Sequence, residues 1–261
     1  MDTGTSDLLF ERRGAIGWVT FNRPEARNAM KFAMYDGLVK ICRAVADDPE
    51  VRVLVLTGAG DKAFVAGTDI SQFQSFTDPQ HAIEYEHRLD EVFATIESVP
   101  RPTIAMIRGY AVGGGASIAL SCDLRICSPD ARFGIPVART LGNSLSMNSY
   151  ARLVDLVGPA RAKHMIFTAS MIEAEDARTA GIVNEIVPAE ELEARTMALA
   201  EQIASHAPIT IQVTKEAIRR ILESRRVAAH DDLVVKAYMS SDFAEGVRAF
   251  LDKRKPRWTG T

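Results

Sequence analysis

The sequence is poor in cysteine, in aromatic residues and in excess charge of either sign. Its cysteines, Cys42, Cys122 and Cys127, cannot all pair, and neither C-x-x-C spacing nor a nearby histidine cluster accompanies them. We therefore expect cysteines that fill the core, with no disulfide framework and no metal site. With 31 lysine and arginine residues against 34 aspartate and glutamate residues, the formal charge of -3 does not recruit nucleic acid.

Long apolar runs are also missing. No segment approaches the roughly 18 uninterrupted apolar residues of a membrane helix, and the first residues lack the basic-then-apolar order of a signal peptide. We expect a cytoplasmic protein without a membrane partner. The 261 residues, 47% of them hydrophobic, show no low-complexity bias and suffice for a large buried core.

What the sequence does contain is an alternation of β-type and helical patterns. The runs at 51–57 and 103–107 are rich in apolar β-formers, and the periodic stretch at 31–46 predicts a helix. Strands that alternate with helices predict an α/β domain. The further predicted elements are a hairpin of strands 8–11 and 16–21, a helix from about 114 through 121, and a strand at 124–127.

The remaining predicted helices lie in two regions. Between 71 and 98 an apolar stripe at helical spacing indicates a helix that packs on the core. The members of the stripe are Tyr85, Leu89, Val92, Phe93 and Ile96. From 190 to 253 the helical pattern is interrupted at Pro208 and at Ser240-Ser241. We predict a core over 1–203 and a C-terminal helical region over 204–261.

The first glycine-rich turn has two interpretations. Gly58-x-Gly60-x-x-Ala63 follows a strand and matches the outline of a dinucleotide-binding fingerprint. That fingerprint needs a helix that begins inside the glycine run, whereas the residues that follow here are apolar and β-like. The sequence therefore argues against a nucleotide cofactor at this turn.

Two later segments suggest different chemistry. Residues 64–70 (FVAGTDI) and 109–115 (GYAVGGG) each offer an unobstructed backbone N–H, one in a tight turn and one at a helix start. Two such donors that converge on one point form an oxyanion hole, and the positive end of the helix dipole favours a negative oxygen there. The alternative is that Gly113 to Gly115 only allow a helix to pack closely on a sheet.

Seven short segments follow one another along nearly the whole chain. They are 22–30 (NRPEARNAM), 64–70, 109–115, 121–126 (SCDLRI), 131–134 (ARFG), 180–183 (AGIV) and 250–256 (FLDKRKP). Together they resemble the crotonase (enoyl-CoA hydratase/isomerase) family, whose members bind acyl-CoA thioesters. The resemblance implies a crotonase-like spiral of ββα units with a C-terminal helical trimerisation region, assembled as a homo-trimer or as a hexamer of two trimers.

The resemblance also implies where the substrate binds. The thioester carbonyl is expected between the N–H groups of Ala66 and Gly114, and coenzyme A is part of the substrate, with no prosthetic group. Arg27 is expected near the phosphates, and Phe250 and Lys253 are expected to reach coenzyme A from a neighbouring subunit. The implied contacts are Arg27, Ala29, Ala63, Ala66, Gly67, Thr68, Asp69, Ile70, Phe250 and Lys253. Asp69 also has the position of a helix cap, which is its more ordinary role.

The sequence departs from the family pattern at the two positions where hydratases of the family carry glutamates. Ser117 and Val137 stand there. Valine cannot transfer a proton, and serine without a partner base is a poor proton acceptor near neutral pH. The departure counts against ordinary hydration, and Val137 counts against an ordinary isomerase as well.

A polar stretch after the second of these positions resembles the aryl-CoA dehalogenase branch of the family. That branch has a nucleophilic aspartate where this chain has Ser144, so dehalogenation by that route is not expected. Arg139, Asn143 and Ser144, together with Ser146, form a polar cluster that either lines an acyl pocket or faces water or another subunit. Further acid–base groups could come from Glu84, Glu86, His87 and Asp90, whose charges otherwise form the solvated face of a helix.

These observations lead to one functional prediction with two alternatives. We expect an acyl-CoA enzyme of the enoyl-CoA hydratase/isomerase type that stabilises a thioester enolate in a backbone oxyanion hole. The first alternative is an acyl-CoA decarboxylase, in which loss of carbon dioxide generates the enolate without a base. The second is an acyl-CoA-binding assembly subunit with little turnover.

Overall fold

A computed structural model describes residues 3–225 and 231–261. The strands are β1 Leu8–Arg13, β2 Ile16–Phe21, β3 Val53–Gly58, β4 Ala63–Val65, β5 Thr103–Ile107, β6 Tyr110–Val112, β7 Leu124–Cys127, β8 Arg132–Gly134, β9 Ile172–Glu173 and β10 Glu185–Ile186. The helices are α1 Phe32–Asp47, α2 Pro79–Ser98, α3 Gly114–Ser121, α4 Val137–Thr140, α5 Met147–Thr168, α6 Ala174–Thr179, α7 Leu192–Ala204, α8 Pro208–Glu223, α9 Asp231–Tyr238 and α10 Ser241–Leu251. Turns of 3₁₀ helix cover Pro24–Ala26 and Ile70–Ser75.

The strands form two sheets. The larger sheet has the order β1-β2-β3-β5-β7-β10, and all its pairs except β1·β2 are parallel. Its central strand β3 is buried on both faces, as a parallel sheet requires. Leu54 and Leu56 face the main core, whereas Val53 and Val55 pack with residues of α7 on the other side.

The second sheet has the order β4-β6-β8-β9, in which β4, β6 and β8 run parallel and the short β9 pairs antiparallel with β8. The strands β3, β5 and β7 lie in the large sheet, and the strands that follow them, β4, β6 and β8, lie in the small one. A helix follows each such pair, so the chain winds through successive ββα units. This is the α/β spiral that the sequence predicts.

The local predictions from sequence are confirmed for most of the first half. The hairpin β1·β2, the strands β5 and β7 and the helix α3 occupy the predicted residues. All five members of the apolar stripe on α2 are buried. A strand, β4, follows the turn at Gly58 and Gly60 where a dinucleotide fingerprint would need a helix. The cysteines are unpaired and buried.

The longest helix, α5, is absent from the sequence predictions. It contains Gly158 in a left-handed conformation (φ 74°) followed by Pro159, so two helical pieces meet at a kink. Glycine and proline are read as breakers in a sequence pattern, which explains the omission. The helix begins at a cap, because the side chain of Ser146 accepts from the N–H of Ser149.

The helices α9 and α10 pack on the spiral rather than apart from it. Val234 and Tyr238 of α9, and Phe243 and Val247 of α10, belong to the same hydrophobic cluster as the residues of β3 and α2. The boundary at residue 203 stays a prediction. Within residues 3–225 and 231–261, no helix is both long and apolar enough to cross a membrane.

The glycines at the start of α3 generate a stability prediction. A Cβ on Gly115 would lie 2.1 Å from the carbonyl oxygen of Val65, whereas a Cβ on Gly114 would meet the hydroxyl of Tyr35, the far end of a side chain, at 2.5 Å. Backbone yields less readily than a side chain, so Gly115→Ala should destabilise the protein by about 3 kcal/mol and Gly114→Ala by less. Thermal unfolding of the two matched variants checks this; equal midpoints would contradict the close approach of α3 to β4.

Candidate active site

The edge of the small sheet, the helices α2, α3 and α4, and Phe250 of α10 line a cavity of about 470 Å³. Because β4 and β6 are parallel neighbours, the segments that follow them meet at one edge of the small sheet. This edge forms the floor of the cavity. The predicted site residues that line it are Arg27, Ala29, Ala66, Gly67, Thr68, Asp69, Ile70, Gly114, Ser117, Val137, Asn143 and Phe250.

Four predicted site residues lie elsewhere. Ala63 is 2% exposed inside β4, and Arg139 is exposed on α4. Ser144 is turned towards its own loop, where its hydroxyl donates to the carbonyl of Leu145. Lys253 is exposed just beyond α10 in a left-handed conformation. Of the predicted polar cluster that includes Arg139 and Ser144, Asn143 reaches the cavity.

The predicted donor Ala66 requires a correction. Its N–H already donates to the carbonyl oxygen of Arg27 at 3.1 Å. An amide that is engaged by a backbone carbonyl cannot also serve a substrate oxygen without breaking that bond. The prediction that Ala66 supplies the first free amide is therefore wrong.

Thr68 carries the amide that the local pairing leaves open. Met30 and Thr68 form an isolated parallel bridge, whose hydrogen bonds run from the N–H of Met30 to the carbonyl of Gly67 and from the N–H of Asp69 to the carbonyl of Met30. The N–H of Thr68 itself must then point away from Met30. No acceptor for it occurs among residues 3–225 and 231–261.

Gly114 is a close neighbour of Thr68. A Cβ on Gly114 would be 3.3 Å from the hydroxyl oxygen of Thr68. Gly114 is the first residue of α3, so its N–H is one of the donors to which a helix supplies no internal acceptor. Thr68 and Gly114, from distant parts of the chain, therefore line the same cavity, and neither N–H has an acceptor among the described residues.

Two tyrosine hydroxyl groups fix the position of the Thr68 side chain. Its side chain hydrogen-bonds to the hydroxyl of Tyr35 at 2.9 Å and to that of Tyr85 at 2.8 Å. Burial raises the pKa of both tyrosines above the ordinary value, so their hydroxyls stay protonated. These hydrogen bonds connect α1 and α2 to the segment that carries the Thr68 amide.

Asp69 caps the 3₁₀ turn at Ile70–Ser75, which is the helix-capping role that its sequence position predicts as the more ordinary one. Its carboxylate accepts from the backbone N–H of Ser71 and forms an ion pair with Arg23 at 3.2 Å. Burial raises the pKa of Asp69, but the hydrogen bonds from Ser71 and Arg23 outweigh it, and the net pKa is lowered. Asp69 is thus an ionised structural group at the wall of the cavity.

Arg27 is held at the mouth of the cavity by an unusual turn. Both Arg27 and Asn28 have positive φ (51° and 57°), and the side chain of Asn28 donates to the carbonyls of Ala59 and Ala63. The exposed guanidinium of Arg27 lies 5.9 Å from the ring centroid of Tyr110. A cation beside an exposed aromatic ring suits an anionic, partly planar ligand.

The opposite end of the cavity is mainly apolar. Ser117, on α3, is 6% exposed, and Val137, at the start of α4, is 9% exposed. Leu89, Phe93 and Leu141 complete the wall around them. These two positions therefore lie where an acyl group would be enclosed, and neither carries an acid.

One acid lies in this apolar region, and the sequence leaves it either as an acid–base group or as part of a solvated helix face. Glu86 is 3% exposed and lines the cavity. Its carboxylate accepts from the hydroxyl of Tyr238 at 2.6 Å and from the N–H of Ser146 at 2.9 Å. Burial raises the pKa of Glu86 to about 7. The sequence does contain a signal for the burial of Glu86. This residue precedes Leu89 and Phe93 by three and seven residues, which places it on the same, buried face of the helix.

The neighbouring charges of α2 behave differently. Glu84 and His87 are exposed, and His87 pairs with Asp231 at 3.1 Å. Asp90 accepts from the hydroxyl of Ser146 and lies 3.6 Å from the guanidinium of Arg152. Asn143 donates to Tyr238, while its buried Oδ1 has no donor in the described part of the chain.

Comparison with known proteins agrees with the seven ordered segments. Residues 11–261 match the model of the family described as enoyl-CoA hydratase/isomerase. The chain is 35% identical over 253 residues to a short-chain-enoyl-CoA hydratase of Clostridium acetobutylicum, covering 96% of each chain. It is 36% identical over 258 residues to an (E)-benzylidenesuccinyl-CoA hydratase of Thauera aromatica, covering 97% of this chain and 99% of the relative.

The fold also matches solved structures over nearly its full length. A methylmalonyl-CoA decarboxylase in complex with 2-nitronate-propionyl-CoA superposes with a TM-score of 0.89 at 30% identity, covering 98% of this chain and 99% of the other. The family match spans nearly the whole chain, and the spiral of ββα units is common to these proteins. The chain therefore belongs to the enoyl-CoA hydratase/isomerase family of the crotonase superfamily.

Proposed function

We propose that this enzyme binds an acyl-CoA thioester and stabilises its enolate between the N–H groups of Thr68 and Gly114. The single observation that carries the proposal is that Thr68 and Gly114 line one cavity with N–H groups that have no acceptor among the described residues, whereas the N–H of Ala66 is engaged. A thioester oxygen gains negative charge when the enolate forms, and fixed donors stabilise that charge more than the neutral carbonyl. The N-terminal end of α3 adds its positive dipole at the same point.

The cavity suggests an orientation for the substrate. Arg27 and Tyr110 at the exposed mouth suit the phosphates and adenine of coenzyme A, and the apolar end near Val137 suits the acyl group. Ala29, Gly67, Asp69 and Ile70 would flank the thioester arm. Phe250 lines the cavity within its own chain, so in this proposal it needs no neighbouring subunit to contact the substrate.

Hydration by a pair of glutamates is disfavoured in this cavity. The resemblance places those glutamates at 117 and 137, where serine and valine stand. Each positioned acid or base contributes about 10² to 10⁴ in rate. We therefore propose enolate chemistry of the hydratase/isomerase type in which water addition is slow compared with reactions that need only the enolate.

Decarboxylation of a 2-carboxyacyl-CoA is the second candidate. The fold is similar over its whole length to a methylmalonyl-CoA decarboxylase. Loss of carbon dioxide leaves the electron pair on Cα, so the reaction needs the two amides but no base. The absence of acids at 117 and 137 is compatible with that requirement.

We also propose assembly as a homo-trimer or a hexamer. Helix α8 has no buried residue within a single chain and exposes Ile209, Val213, Ile218 and Ile221. Such an apolar helix face is normally covered by another surface in a soluble protein. The C-terminal region, including α8, is where the resemblance places the trimer contacts.

A panel of three thioesters tests the proposed function. Purified protein is assayed with crotonyl-CoA for hydration, 3-butenoyl-CoA for isomerisation and methylmalonyl-CoA for decarboxylation. We expect isomerisation or decarboxylation to exceed hydration by at least about 10²-fold, because hydration alone needs two acid–base groups. Rapid hydration would contradict this, and tight thioester binding without turnover on all three would support the binding subunit instead.

The Gly114 amide can be removed with a matched control. Proline is tolerated at the first position of a helix and lacks the N–H, and a Tyr35→Phe background removes the hydroxyl that a new Cβ would meet. We expect Y35F/G114P to lose about 10²- to 10³-fold in kcat relative to Y35F/G114A, which keeps the amide. Equal kcat values in the two double variants would rule out this donor.

Arg27 is expected to contribute to binding rather than to chemistry. Arg27→Ala should raise KM for an acyl-CoA about tenfold and leave kcat unchanged, because the guanidinium contacts the part of the ligand remote from the reacting carbons. The effect should shrink at high salt, since the site is exposed. Arg43→Ala, on α1 and paired with Glu91 at the surface, is the control and should change neither constant.

A further inference from the structure

We propose that Glu86 is the catalytic carboxyl group that moves the Cα proton of the bound thioester. The inference rests on the proposed function, in which Thr68 and Gly114 hold the thioester oxygen. It gives the cavity an acid–base group from α2, whereas the resemblance places such groups at positions 117 and 137.

The position of Glu86 fits this role. Its side chain lines the acyl end of the cavity together with Ser117 and Val137. The preceding residue, Tyr85, hydrogen-bonds at 2.8 Å to the side chain of Thr68, which carries one of the two open amides. Helix α2, which carries Glu86, is therefore tied directly to the segment that would hold the thioester carbonyl.

The carboxyl group is oriented by groups from two other parts of the chain. Tyr238, on α9, donates to Oε1, and the backbone N–H of Ser146 donates to Oε2. Asn143 in turn donates to the hydroxyl of Tyr238 at 3.0 Å. Each carboxylate oxygen can accept more than one hydrogen bond, so an acceptor position remains for a substrate proton.

A purely structural role accounts poorly for an acid at this position. In the part of the chain that the structure describes, no cation forms an ion pair with Glu86, and Arg152 pairs with Asp90 and Glu97 instead. A buried carboxylate without a cation destabilises the fold. A glutamine could accept from Tyr238 without that cost. Groups that transfer protons in active sites characteristically have shifted pKa values, and a carboxyl group in an apolar cavity has this property.

The proposed step balances without an added reagent. The Cα–H bond breaks, the proton passes to the Glu86 carboxylate, and the C–H electron pair forms the enolate whose oxygen lies between the two amides. The carboxylic acid then returns the proton to Cα, or to Cγ of a 3-enoyl group with a shift of the double bond. In decarboxylation the C–CO₂ bond breaks instead, and the carboxylic acid protonates Cα and is reprotonated by water.

The titratable groups around Glu86 define its expected pH dependence. They are Tyr85 and Asp90 on α2, Tyr35 on α1, Tyr238 on α9, and Arg152 on α5 beside Asp90. Burial and the charge of Asp90 raise the pKa of Glu86, whereas the hydrogen bonds from Tyr238 and Ser146 lower it, with a net value of about 7. Proton abstraction needs the carboxylate, so its rate should rise with pH through about 7.

Deuterium exchange tests the proposal directly. The full-length protein is incubated with 3-butenoyl-CoA in D₂O, and incorporation of deuterium at the α and γ carbons of the recovered thioesters is measured by mass spectrometry. We expect wild-type protein to catalyse incorporation and Glu86→Gln to reduce its rate at least about 10²-fold. Glu84→Gln, the same change at an exposed position two residues earlier on α2, should leave the rate unchanged.

Thermal unfolding and binding of butyryl-CoA will report whether Glu86→Gln folds. If it does not fold, a second variant provides the test. Tyr238→Phe removes a hydrogen bond that lowers the pKa of Glu86. Tyr238 is a positioning residue, and its loss should move the midpoint of the pH–rate profile upward while the substrate still binds. An unmoved midpoint would count against Glu86 as the titrating base.

The outcomes separate this inference from the proposed function. If Glu86→Gln exchanges deuterium as fast as wild type, the role of Glu86 is overturned while enolate formation stands. If wild type shows no incorporation but decarboxylates methylmalonyl-CoA, and Glu86→Gln does so equally well, Glu86 is again excluded and the oxyanion site is retained. If wild type neither exchanges nor turns over any thioester, both proposals fail.

Discussion

The parallel pairing of β4 with β6 is the constraint on which the rest of the site depends. Ala63 pairs with Tyr110 and Val65 with Ala111, so two segments that are almost fifty residues apart in sequence end side by side. Their continuations, which carry Thr68 and Gly114, are then neighbours without any direct bond between them. The close approach of Gly115 to the carbonyl of Val65 holds the start of α3 against the same strand. A sheet register thus determines the distance between two amides.

Much of this could be read from the sequence because it depends on local patterns. The strands β5 and β7 and the helix α3 follow from β-branched runs and from the glycine triplet, and the apolar stripe on α2 follows from helical periodicity. The segments around 64–70 and 109–115, which the sequence singles out, both contribute residues to one cavity. These features need no knowledge of what lies across the fold.

What the sequence could not supply is direction and partnership, which sequence patterns do not encode. Ala66 and Thr68 are both small enough to expose an amide, and the choice between them depends on the bridge to Met30 and on the bond to the carbonyl of Arg27. Glu86 belongs to a helix with several charges, and its burial depends on α9, which is remote in sequence. Lys253 and Arg139 are in segments that resemble the family, yet the surrounding backbone turns them towards the surface.

The bond between Tyr238 and Glu86 joins residues that are 152 positions apart. A ribosome releases α2 long before α9, so a growing chain can complete both sheets and still lack the hydroxyl that orients its buried acid. The site is then finished only when the last helices dock, and a nascent chain that already has its spiral should remain inert until synthesis ends. Acquisition of activity would in that case coincide with completion of the C-terminal layer rather than with formation of the sheets.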